Sequence, residues 1–368
     1  MLSEIGVDVI DVGIPVVSRD EHKAVKRIAN AGLEASIMAA ARAVRRDVEA
    51  CVECGVDEIA LFIAASDLHL KLKLNMTRDQ AVEVAVREVE YAKAHGLKVS
   101  FVTEDTFRAD FDYAVRLYNA CIYAGAERIV LADTVGIVTP PLMRWFLGRM
   151  RERLKPAQLS VHCHDDLGLA VANSLAALES GVEVPHSTVN GLGERAGNAS
   201  FEELVMALEV LYGRKTGIDV SRLYEVSTLV ERLSGIPIPV NKAIVGYNAF
   251  SHESGIHADG VIKATATYEP MQPELVGRER RFVFGKHTGS AAVADKLRRR
   301  GVEATREQVV AIVARVKETA ERRSKAEQTR FIEAYRRREE RRRGVTDAEF
   351  WSIARKAGVN VPRKARTP

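Results

Sequence analysis

Apolar and β-branched positions cluster into short runs along the first half of the chain, at residues 7–14, 35–40, 58–63, 98–102, 128–132, 158–162 and 183–189. Each run has the length and composition of a β-strand. Between them apolar positions return every three or four residues, most clearly over 77–94 and 110–123, which predicts amphipathic helices. The passages from helix to strand share one grammar. A helix tail is followed by Gly6, Gly55, Gly125 or Gly181, then by an acid two places on (Asp8, Asp57, Glu127 or Glu183), then by the apolar run. Glycine suits the position after a helix because it enters the left-handed conformation without a Cβ clash. Helices alternating with strands through such short passages predict a parallel sheet. Seven βα units in a row predict an α/β fold of the closed (β/α)8 TIM-barrel type, one strand short. Residues 1–5 read as the last turn of a helix whose body and preceding strand are not in the sequence, so the expectation is an N-terminally truncated barrel with two raw sheet edges.

Three segments are expected: the barrel over 1–232, a linker and lid subdomain over 233–289, and a charged helical C-terminal subdomain over 290–368. The first boundary falls at a Pro-rich exit containing Pro237 and Pro239. The 368 residues accommodate a barrel of about 250 residues plus an appendage. No apolar run approaches the roughly 18 residues that span a bilayer, so no membrane partner is expected. The first residues carry acids where a secretory signal carries bases, and four cysteines make no disulfide framework. A cytoplasmic location is the expectation. Residues 336–343 form a strongly basic run, but glutamates interleave it and no aromatics flank it. A solvated helix face is expected there, and no nucleic-acid partner.

The strongest local chemistry is His162 and His164, flanking Cys163 at the end of the sixth run. Strand side chains alternate, so both imidazoles leave on one side, at the end of the strand where barrel active sites are built. Two such rings can hold one divalent metal, or can satisfy each other in a polar barrel mouth. A glycine-rich polar loop follows the seventh run, from Asn190 to Asn198. Asp133 and Thr134 end the fifth run with a carboxylate and a hydroxyl, suited to an anionic substrate. Glu104 and Asp105 end the fourth, where a helix cap at Asp105 or Thr106 competes with a catalytic role. His252 and His257 lie in a glycine-containing loop beyond the barrel, and could be a base on a lid or surface residues. Cys51 and Cys54 have the spacing of a redox pair but fall on a helix tail, where packing is the simpler reading.

On the segments 162–168, 190–198, 251–260 and 284–289, the sequence resembles the acetyl-CoA-dependent 2-oxo acid condensing enzymes: isopropylmalate, citramalate and homocitrate synthases, the DRE-TIM metallolyases. The resemblance implies a divalent metal (Zn, Mg or Mn) on His162 and His164, with Asn198 as a further ligand, and acetyl-CoA as co-substrate. It implies that Thr134 holds the oxo acid carboxylate, that Ser100 and Arg42 belong to the substrate pocket, and that Glu104, His257 and Tyr268 are the catalytic set. It further implies a homodimer with lid exchange. The base role falls to His257 backed by Glu104, with Tyr268 as proton donor. The family's Arg-Asp-Gly-Glu motif has no counterpart in the sequence, so this chain alone is expected to be inactive or nearly so.

The oxo acid is less constrained. The C-terminal length resembles the shorter homocitrate synthases, of the nitrogenase-associated or methanogen type, which makes 2-oxoglutarate the first choice. Against it, the positions that bind the distal carboxylate in some homocitrate synthases are Ser100 and Ala40, neither of them cationic. Isopropylmalate, citramalate and phosphonomethylmalate-type synthesis are the alternatives. In a different class stands an inactive barrel paralogue with a dimerisation or ligand-sensing role.

Overall fold

A computed structural model describes residues 1–322, 329–330, 333, 345 and 347–357. The basic run 336–343 lies outside them. Seven strands, β1 (Val9–Asp11), β2 (Ser36–Arg42), β3 (Glu58–Ala64), β4 (Lys98–Glu104), β5 (Arg128–Asp133), β6 (Gln158–Cys163) and β7 (Val184–Pro185), form one sheet in chain order. Every pairing between neighbours is parallel. Helices join them: α1 (Arg19–Ala29), α2 (Arg45–Cys54), α3 (Arg78–Ala94), α4 (Phe111–Tyr123), α5 (Pro140–Arg151) and α6 (Ala170–Glu179), followed by α7 (Phe201–Val210) and α8 (Leu223–Ser234). This is the expected (β/α)8 architecture lacking one strand in this chain. The helix expected over 110–123 begins where the Asp110 carboxylate accepts from the Tyr113 N–H. The one over 77–94 begins at a capping box of Thr77 and Gln80.

The repeated junctions have a concrete function. Gly6, Gly55, Gly125 and Gly181 all have φ between 73° and 111°. At three of the four junctions the acid two places on bonds to the neighbouring strand: Ile37 N–H donates to Asp57 (2.8 Å), Val99 N–H to Glu127 (2.9 Å) and Leu159 N–H to Glu183 (2.7 Å). Each carboxylate thus fixes the register between the start of its own strand and the strand before it.

Side chains alternate about the sheet. Ile59, Leu61, Val99, Phe101, Ile129, Leu131, Leu159, Val161 and Cys163 join the main core with the helices. The opposite positions stack in layers, with Ala60, Ser100, Arg128 and Gln158 in register, then Phe62, Val102, Val130 and Ser160, then Ala64 with Glu104 and Ala132 with His162. Two runs are shorter than their apolar extent suggests. β1 covers three residues of the expected eight, and β7 two of seven. Pro185 has no N–H to continue β7, and Asn190 (φ 61°) turns the chain into a 3-10 turn at Val189–Gly191.

The described chain divides into two compact units, Met1–Ser251 with Glu269–Arg281, and His252–Tyr268 with Phe282–Pro368. The second is built on α9 (Gly255–Lys263), α10 (Ser290–Arg298), α11 (Arg306–Glu321) and α12 (Asp347–Lys356). Within it Gly255 and Gly289 meet so closely that a Cβ on Gly255 would lie 2.8 Å from the Gly289 Cα.

Candidate active site at the carboxyl ends of the strands

β6 delivers His162 as its penultimate residue and His164 one residue past its end, while Cys163 between them is buried against the helices. The two Nε2 atoms stand 3.3 Å apart, and the Asn198 amide nitrogen lies 3.1 Å from the His162 Nε2. Asn198 reaches this point because its loop is stitched to the end of β6: Ala199 N–H donates to the Cys163 carbonyl and Asp165 N–H to the Gly197 carbonyl. The loop tolerates no bulk. A Cβ on Gly193 would sit 1.8 Å from the Asn198 Oδ1, and Gly197 (φ 104°) approaches the Gly191 carbonyl just as closely.

Burial, with His186 and His164 alongside, pushes the His162 imidazole down to about 3. Burial, helped by Arg195, also lowers His164. Both rings are therefore neutral at pH 7, the state in which imidazole binds metal. Two nitrogen ligands each about 2.1 Å from a cation stand roughly 3.0–3.4 Å apart, which the His162–His164 separation matches. The two imidazoles fit a divalent ion, and Asn198 would add its amide oxygen as third donor once the amide, whose nitrogen now faces His162 at 3.1 Å, is turned over. Among the described residues no group of three or more His, Cys, Asp or Glu side chains is placed to hold a metal ion.

Thr134 follows β5. Its hydroxyl oxygen accepts from the Asp105 N–H (2.8 Å), which leaves the hydroxyl hydrogen to donate to an anion. Arg195, itself at positive φ (55°), donates to both oxygens of Asp166 and to the Thr134 carbonyl at 2.7–2.8 Å. One guanidinium so ties three loops of the mouth together. Asp105 stands at the N-cap position of a 3-10 turn, Thr106–Arg108, but its side chain makes no cap bond, although a cap at Asp105 or Thr106 was one expectation. It takes φ 64°, and its carboxylate accepts from Arg108 instead.

Glu104 ends β4 at the level of Ala64, next to the layer of the histidines. Both its oxygens accept from Lys73 at 2.7 Å, and His69 Nδ1 lies 3.3 Å away. Neither Lys73 nor His69 was singled out from sequence. Their signal, a four-residue spacing after a Ser-Asp helix start, is ordinary. His186, whose Nδ1 is 3.3 Å from that of His162, was missed for the same reason.

Ser100 and Arg42 are not brought to this cluster. Ser100 lies two layers below Glu104, where it accepts from Arg128, which is paired with the buried Glu58 carboxylate at 2.6 Å. Arg42 makes a two-point pair with Asp47 at 2.6 and 3.0 Å. In the second unit His257 and Tyr268 stack, with ring centroids 4.1 Å apart. Cys51 and Cys54 are both buried on α2, as the packing reading expected.

Comparison with known proteins agrees with the geometry. Residues 1–230 match the HMGL-like family and residues 244–324 match the homocitrate synthase post-HMGL domain-like family. A probable 2-isopropylmalate synthase of Methanopyrus kandleri is 50% identical over 321 residues, 87% of this chain and 64% of that protein. A homocitrate synthase of the same organism is 48% identical over 336 residues, covering 91% of this chain and 84% of that one. The chain spans less than two thirds of the length of the first three curated relatives, 62–64%. Among solved structures the HMG-CoA lyase of Bacillus subtilis superposes with a TM-score of 0.59 at 25% identity, covering 65% of this chain and 86% of that one. With the strand order, the His162–His164 pair and the match over residues 1–230 all in agreement, the chain belongs to the HMGL-like family.

Proposed function

We propose that the protein condenses acetyl-CoA with a 2-oxo acid and hydrolyses the resulting thioester. The observation that carries this reading is the meeting of two neutral imidazoles and an amide beside Thr134 and Glu104 at the strand ends. His162, His164 and Asn198 would hold a divalent cation, which when bound polarises an oxo acid carbonyl. Thr134 donates its hydroxyl hydrogen to the substrate carboxylate. Removing a methyl proton from acetyl-CoA needs a positioned base, and His257, with Glu104, is assigned that role. Tyr268 is the proposed proton donor. The working form is a homodimer in the cytoplasm.

The resemblance in sequence supports 2-oxoglutarate as the oxo acid. A second reading is favoured by the interior at Ser100, where the Arg128 cation is already matched by Glu58. A second substrate carboxylate there would be desolvated without a free partner. That favours an oxo acid with an uncharged side chain, 2-oxoisovalerate or pyruvate. The experiment is thiol release from acetyl-CoA, with each of the three acids and Zn, Mg or Mn, by the chain preceded by a barrel strand that carries the Arg-Asp-Gly-Glu motif. Release with one acid above the others, abolished by chelation, is expected; no release with any acid under any metal overturns the reading.

A further inference from the structure

Resting on the reading above, we propose that His69 and Lys73 are positioning residues that aim the Glu104 carboxylate. They stand on a segment of unusual geometry. A short helical turn at Asp67–His69 runs into a π turn at Leu70–Leu74, which closes when the Asn75 N–H donates to the Leu70 carbonyl and Asn75 takes φ 52°. Turns of this widened kind are rare and recur at functional sites. Here the turn sets an ammonium group and an imidazole against one acid. Lys73 Nζ lies 2.7 Å from each oxygen of Glu104, so the carboxylate cannot rotate without losing a charge-assisted bond. His69 lies between neighbouring carboxylates, Nδ1 3.3 Å from Glu104 and Nε2 3.7 Å from Asp105. Its Nδ1 is buried and makes no hydrogen bond, which leaves it free to engage Glu104 after a small rotation.

The segment does not need these contacts to keep its shape. Its two ends are clamped by Arg78, which donates to both oxygens of Asp67 at 2.7 and 2.6 Å, and its start is capped by Ser66, which accepts from the His69 N–H. The other side of Glu104 is fixed as well: Ala65 N–H donates to the Glu104 carbonyl, and Asp105 N–H to the Thr134 hydroxyl. Backbone and loop are held by other groups, so the Lys73–Glu104 pair is left with the orientation of the carboxylate as its work. Misplacing a reacting group by about 1 Å costs on the order of 100-fold in rate.

The test uses the full chain preceded by the strand that carries the Arg-Asp-Gly-Glu motif, acetyl-CoA and whichever oxo acid that protein turns over. Lys73→Met is expected to lower kcat about 10–100-fold while KM for the oxo acid changes by less than about threefold. Lys73→Arg restores most of the rate. His69→Ala lowers kcat in the same direction. Zinc affinity and the urea midpoint stay at wild-type values in all three, because the imidazole site and the Arg78 clamp are untouched. An unchanged kcat in Lys73→Met, or a Lys73→Arg variant as slow as Lys73→Met, overturns the inference. A strand-completed protein with Lys73 and His69 intact that releases no CoA overturns the functional reading itself, and is thereby distinguished from a failure of the inference alone.

Discussion

A single methyl group decides much of this site. At Gly193 the chain approaches the Asn198 amide so closely that alanine has no room. Gly193→Ala is expected to displace Asn198 and weaken zinc binding by about 10-fold or more, measured by competition with a chromogenic chelator. His162→Ala and His164→Ala each remove a proposed ligand, and are expected to abolish binding in the same titration. The histidines also make stability depend on pH. Burial, with Arg128 nearby, pushes His186 down to about 4, and His162 stands at about 3. As pH falls the unfolded chain, with imidazoles near 6.5, takes up protons before the folded one does. Stability contributed by the neutral rings is therefore complete above about pH 6.5 and lost as pH falls toward 4 and 3, with a slope of up to about 1.4 kcal/mol per pH unit per ring. For metal-free protein the urea midpoint should fall between pH 7 and 5, and fall less steeply in His186→Asn. Equal slopes would show that His186 is not held neutral.

At the scale of elements, the repeated glycine and acid define the barrel's assembly. The glycine ends a helix, and the acid, two residues later, fixes the register of the strand that follows. Asp57→Ala removes an acceptor from the Ile37 N–H and is expected to cost about 1–3 kcal/mol in urea unfolding. Gly55→Ala meets nothing closer than 3.7 Å, so its cost is the left-handed conformation alone, about 1–2 kcal/mol. The two substitutions separate register from helix termination. The periodicity exposed these elements well: all seven runs became strands, and both singled-out helices start within one residue of the expected positions. It overestimated β1 and β7 because apolar character says that a residue is buried, not that its backbone finds a pairing partner.

At the scale of the molecule, burial silences the cysteines. Cys51 and Cys163 are each pushed up to about 12 by burial, Cys121 is raised further, and Cys54 is raised as well. All four are buried, so thiol titration of native protein at pH 8 should find none reactive, and four after denaturation. A fast-reacting thiol in the native protein would contradict the packing of α2 or β6. The short spacing of Cys51 and Cys54 thus reflects one buried helix face rather than redox chemistry.

By itself the sequence determined the alternation of strands and helices, the αβ junctions, and the placing of His162 and His164 on one side of a strand end. These follow from local rules: residue periodicity, the conformational freedom of glycine and the two-residue repeat of a strand. It could not determine that Lys73 and His69 meet Glu104, that Ser100 is engaged by a buried ion pair, or that Gly193 clears space for Asn198. Those contacts join residues about 5 to 40 positions apart along the chain, and only the pairing of neighbouring strands and the folding of the loops that follow them bring them within bonding distance.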